Sequence, residues 1–208
     1  WLVVVALGLV GCGSRPPAPD WQVAAHGALE RFEQAYLSGQ DRAAQADFAL
    51  ARRELSATGQ AALVARAELT RCALQVASLD FMRCEGFEPL RPDAPAAERA
   101  YAGYLAGERV PADLLPTQHR SVAQGGSAEA VRAIEDPLAR LVAAGVLVRS
   151  GRGTPELLRV GADTASARGW RRPLLAWLGA QLQLAEQSGA VDEAARLRRR
   201  MDLAAGGR

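Results

Sequence analysis

The sequence predicts an all-α protein, an antiparallel array of helical hairpins, on three observations. Apolar residues return at helical spacing in one segment after another. Short turns marked by glycine separate these segments. No run shows the alternation of a half-buried strand, and Ile, a strong strand former, occurs once, at Ile134. A hydrophobic content of 49% with 23% charged residues is that of a globular chain. Aromatics make up only 5%, so Leu, Ala and Val must build the core.

The first helix is expected from about 21 to 37, with Ala25, Leu29, Phe32 and Tyr36 on one face, Asp20 as its cap and Gly39 as its stop. Asp41 opens the second, whose stripe is Ala44, Phe48, Ala51 and Leu55, and Gly59 closes it. The third runs from about 60 to 79. Leu69, Cys72, Val76 and Leu79 share one face, with Leu63, Ala67 and Leu74 close by. Short turns make these three antiparallel neighbours, as in bundles and helical repeats.

Residues 80–124 differ. Pro89, Pro92, Pro95, Pro111 and Pro116 cut the segment into short pieces. One short helix, about 96–106, carries Tyr101 and Tyr104. The segment reads as a packed connector between two helical halves, about 21–87 and 126–205, within one helical domain spanning 21–208.

Ser127 can cap a helix with the stripe Val131, Ile134, Leu138 and Leu141. Pro137 interrupts that stripe, so the helix either kinks there or begins at Asp136. After a turn at 150–153, Thr154-Pro155-Glu156 is a cap followed by proline at the first helical position. That helix ends near Gly169. Two more follow, about 173–187 and 192–203, split by Ser188-Gly189.

The last pair resembles a tetratricopeptide repeat. In that family a Leu-Gly pair lets two helices approach, a glycine closes the turn and a small residue five positions later packs at the crossing. Leu178-Gly179, Gly189 and Ala194 match those roles. The first helix is three residues too long, and Arg198 stands where a large apolar residue belongs. Ala44, Phe48 and Ala51 match the second half of the same pattern. The resemblance implies a superhelix of hairpins with a concave binding face.

At the other end, residues 2–12 read LVVVALGLVGC. The run is too short to span a bilayer, which takes about 20 residues, and has the length of a signal-peptide core. The chain opens at Trp1 without an initiator Met or charged region, so its leader is expected to be incomplete at the start. Leu9-Val10-Gly11-Cys12 resembles the lipobox of bacterial lipoproteins. The resemblance implies cleavage before Cys12 and lipidation of that cysteine, making residues 1–11 a signal peptide. Gly13 in place of Asp implies outer-membrane sorting in a Gram-negative cell, with the domain facing the periplasm. Residues 12–20, with Pro16, Pro17 and Pro19, form an extended tether that lifts the domain off the membrane.

Two further cysteines, Cys72 and Cys84, form an even pair in a chain expected to be exported, which argues for a disulfide. All 25 basic residues are Arg, and neither Lys nor Asn occurs. Schiff-base and P-loop lysines are therefore excluded. His26 and His119 lack metal-ligand spacing, so no metal or cofactor is expected. Glu135-Asp136 reads as charge at a helix start, and no nucleophile, zinc or phosphate-loop motif stands out, so no enzyme is expected. A net charge of +2 implies no nucleic-acid partner. The charge is uneven, however. From Arg168 onward eight Arg face four acidic residues, and Arg196, Arg198, Arg199 and Arg200 cluster where a helix C-terminus would favour cations.

These features point to a membrane-anchored helical scaffold that binds a protein in the cell envelope. The candidate contacts are the four arginines with Tyr101 and Tyr104. The alternative is a lipid-anchored binder of a small or cell-wall ligand, with Tyr101, Tyr104, Trp170 or Trp177 lining a pocket. An envelope hydrolase ranks last.

Overall fold

A computed structural model describes residues 17–206; Cys12 and the leader lie outside them. The described chain is helical with no strand: α1 (Asp20–Leu37), α2 (Asp41–Ser56), α3 (Ala61–Ala77), α4 (Ala96–Leu105), α5 (Thr117–Ala123), α6 (Ala128–Arg132), α7 (Pro137–Arg149), α8 (Pro155–Ala167), α9 (Arg171–Gln187) and α10 (Val191–Ala205). Short 3-10 turns fill Glu88–Asp93 and Ala112–Leu114. None of these helices is long and apolar enough to cross a membrane.

Local chemistry explains most boundaries. Ser127, Asp136 and Thr154 each accept a hydrogen bond from the amide three residues on, and Pro137 and Pro155 fill first helical positions. The Asp136 cap resolves the ambiguity at Pro137: there are two helices, not one kinked helix. At Asp20 the sequence reading is corrected. Pro19 is the capping residue, and Asp20 begins the helix as an acidic group in its first turn. Helix α3 ends two residues sooner than its pattern suggests, because Leu79 turns the chain with a φ of 55°.

The architecture is organised around α3 and α7. Val64, Ala67 and Leu74 of α3 pack with Phe32, Leu37, Phe48 and Leu55 of the α1–α2 hairpin. Ala65, Leu69, Cys72, Ala73, Val76 and Ala77 belong to a second core shared with α4, α7, α8 and α9. Helix α3 is thus apolar on two faces, and α7, buried from Leu141 to Leu147, is apolar nearly all round, as an interior helix must be. Phe87, Ala94, Tyr104, Leu115 and Val122 bring the proline-rich segment into that same core.

Two long-range contacts join the halves. Trp177 of α9 is wholly buried, and its indole N–H donates to the Ala77 carbonyl at 2.9 Å, satisfying an acceptor that the end of α3 leaves free. Arg172 donates to the Tyr36 carbonyl at 2.7 Å, lies 4.3 Å over the Tyr36 ring and ion-pairs with Asp41. It closes the C-terminal end of α1 from the start of α9.

The sulfurs of Cys72 and Cys84 lie at bonding distance, with Cα atoms 5.7 Å apart. The pair folds the segment after α3 back onto that helix, where Gly86 lies directly over the Glu68 carboxylate. Mass spectrometry of the unreduced, alkylated protein is expected to find neither thiol modified; recovery of both as alkylated cysteines would show them free. Cys84→Ser should lower stability by roughly 3 kcal/mol through the lost loop constraint.

Candidate functional site

Helix α9 lies between α8 and α10 and packs closely on both. Along α9 the two flanking helices leave an open groove of about 520 Å³. Its floor is Gln181, Leu184, Ala185 and Ser188; Pro155 and Arg159 form one wall, and Glu193, Arg196 and Leu197 the other. Leu184 is 38% exposed there, a large apolar side chain open to a partner.

The four arginines singled out in the sequence all lie on α10. Arg196 lines the groove and ion-pairs with Glu193, one turn back; Arg198 pairs with Glu186 of α9. Arg199 and Arg200 are exposed and have no ion-pair partner among the described residues. Contrary to the sequence expectation, the helix dipole does not account for this cluster. Helix α10 continues to Ala205, so its last turn holds no basic residue and the arginines sit mid-helix. Their charge is therefore not used in closing the helix, and half of it is left for solvent or a partner.

Tyr101 and Tyr104 sit one turn apart on α4, rings stacked with centroids 6.2 Å apart. Tyr104 is only 2% exposed, which removes it from any contact surface. Its hydroxyl meets His119 Nδ1 at 3.3 Å, and the His119 ring packs against both tyrosines. His119 is itself buried, and burial pushes its pKa down to about 4 against a weaker opposing pull from Asp136. The histidine is thus neutral at physiological pH and acts as a packing and hydrogen-bonding element. Burial also raises both phenols well above their ordinary range. Trp177, a candidate pocket residue, is core. Trp170 is half-buried, with the Arg168 guanidinium 5.5 Å over its ring.

Two buried carboxylates, Glu68 and Glu98, escaped the sequence reading. Glu68 of α3 is 1% exposed, between Arg52 at 2.8 Å and Arg71 at 2.6 Å. Both arginines keep part of their length in solvent, which eases the desolvation a buried pair would otherwise suffer. Glu68 falls among the apolar residues of α3, and nothing in the spacing distinguishes it from a surface glutamate. Among the described residues no group of three or more His, Cys, Asp or Glu could hold a metal ion.

Compared with protein-family models, curated proteins and solved structures, the chain matches none of them. What it does is therefore read from its own residues.

Proposed function

We propose that the protein is an envelope lipoprotein, anchored through lipid on Cys12 to the outer membrane and facing the periplasm, whose helical array holds another protein. The observation that carries the reading is the free side of the last hairpin. Helix α10 packs chiefly on α9, lines an open groove with Arg196 and Leu197, and presents Arg199 and Arg200 with no acidic partner among the described residues. Arg200 follows Arg196 by one turn, so it continues the groove-side stripe. A basic, partly apolar strip of this kind suits an acidic protein surface, whose charges would speed encounter and set register. The α9–α10 hairpin is on this view a degenerate tetratricopeptide-like pair, and recognition needs no turnover chemistry. The leader residues Leu9-Val10-Gly11-Cys12 supply the anchor. Several acyl chains, at roughly 0.8 kcal/mol for each buried CH₂, hold a protein firmly on a bilayer.

The anchor is tested by expressing the complete gene with Cys12→Ser. The variant should lose labelling by a fatty-acid analogue that marks the native protein, and equal labelling of both would end the lipoprotein reading. The scaffold is tested by capture from detergent-solubilised envelope on immobilised protein, where one saturable, salt-sensitive protein partner is expected.

A further inference from the structure

At the surface edge of the larger core lies a second open cavity of about 360 Å³, between α3, α4 and the turn leading into α5. Its floor is apolar: Leu69, Tyr101, Leu114 and Leu115. The Tyr101 ring is held from behind by Tyr104 and His119. Tyr104 places its hydroxyl on His119, whereas the Tyr101 hydroxyl makes no hydrogen bond among the described residues, and Tyr101 lines the cavity.

The rim carries four charges that divide into two kinds. Arg66 and Glu98 satisfy each other at 2.5 Å. Asp113 and Arg120 have no ion-pair partner among the described residues, although the Arg120 guanidinium reaches the Asp113 main chain. Arg120 is fixed in place by donating to the Leu115 carbonyl at 2.9 Å and the Asp113 carbonyl at 3.2 Å. Those two bonds leave other N–H groups of the fork unused. The result is one fixed cation and one carboxylate beside an apolar floor. The volume sits near the lower end of the roughly 300–1,000 Å³ of small-molecule sites, enough for a ligand the size of one residue.

We propose that this cavity binds a free apolar amino acid. The ligand's carboxylate accepts from Arg120, its ammonium donates to Asp113, and its side chain lies on Leu69, Leu114, Leu115 and the Tyr101 ring. Prior fixing of the guanidinium lowers the ordering cost of binding. The site is independent of the α8–α10 groove, and either can fail without the other.

The test is calorimetric titration of the purified domain with L-leucine, N-acetyl-L-leucine, L-leucinamide and glycine. L-leucine should bind saturably, and glycine, with both charges but no apolar body, should not. Blocking the ammonium or the carboxylate should each weaken binding by about tenfold, the loss of one charge-assisted contact. Asp113→Asn, an isosteric change at an exposed position, should abolish the preference for leucine over its N-acetyl form. Ala97→Trp, at the exposed mouth, should block binding while leaving the melting temperature unchanged. Absence of saturable leucine binding would overturn the proposal, as would equal binding of glycine, equal binding of N-acetyl-leucine, or unchanged binding by Ala97→Trp.

Discussion

Gly145→Ala is expected to lower stability by about 3 kcal/mol or more, at the upper end of what overpacking costs. A Cβ on Gly145 of α7 would drive into the Val76 carbonyl oxygen of α3 and stand 2.9 Å from the carbonyl carbon. The obstacle is main chain, so no rotamer change relieves it, and α3 and α7 must separate along the contact that unites both cores. Gly161→Ala is expected to behave similarly, since its Cβ would lie 2.6 Å from Cε2 of the Trp177 indole. Moving that ring would also strain its bond to Ala77. The contrast is Gly179→Ala. The added Cβ would meet only Met201 Cε, at an ordinary 3.8 Å. Alanine in mid-helix should then be neutral or stabilising by up to about 1 kcal/mol. Chemical denaturation of the three variants checks the ordering; equal losses at all three would show that close helix approach is not what places Gly145 and Gly161.

Acidification should destabilise the fold before most carboxylates titrate. His119 has an ordinary pKa of 6.5 and a folded value of about 4. Between those values the unfolded chain binds a proton that the folded chain refuses, so stability rises with pH across the window. Falling pH therefore costs about 1.4 kcal/mol per unit from pH 6.5 down to about 4, roughly 3 kcal/mol in all. Below about 4 the folded histidine charges too and the loss levels off. Asp136 partly offsets the penalty, while the stacked Tyr101 and Tyr104 rings exclude the water that a charged imidazole needs. His119→Gln should flatten the pH 5 to 6.5 portion of the profile, whatever its own effect on stability at neutral pH. An unchanged slope in that variant would place the acid sensitivity elsewhere.

The fold was legible wherever one residue's neighbours in sequence are also its neighbours in space. The stripes of α1, α2 and α3, the caps at Ser127 and Thr154 and the stops at Gly39 and Gly59 are of that kind, and α1 to α4 and α8 to α10 lie close to their expected bounds, whereas α5 was not expected and the Ser127 helix stops at Arg132. Asp136 shows how little separated the two readings of Pro137: one side-chain oxygen on the Ala139 amide decides that two helices form. Features set by distant chain were not legible. Arg172 reaching Tyr36, Trp177 reaching Ala77 and Glu68 receiving Arg52 all depend on helix placement that no local pattern encodes. The same limit explains Tyr104. Its spacing with Tyr101 puts both on one face of α4, but only the packing of distant chain onto that face buries Tyr104 and leaves Tyr101 partly open. For the basic cluster, helix length was the deciding quantity: α10 runs on to Ala205 and takes the arginines out of its final turn.

The scaffold reading is tested most directly by comparing native protein with a variant in which Arg198, Arg199 and Arg200 are all changed to Gln, in partner capture from solubilised envelope across a salt series. Arg199 and Arg200 bear on no described acidic group and Arg198 only on exposed Glu186, so the fold should survive with little cost. The account predicts weaker capture by the variant and a smaller dependence of capture on salt, because charges screened by salt have been removed. Capture unchanged in both affinity and salt dependence would contradict the basic-face account. A purified domain that turned over an envelope substrate, and lost that turnover on changing one polar side chain, would contradict the scaffold itself.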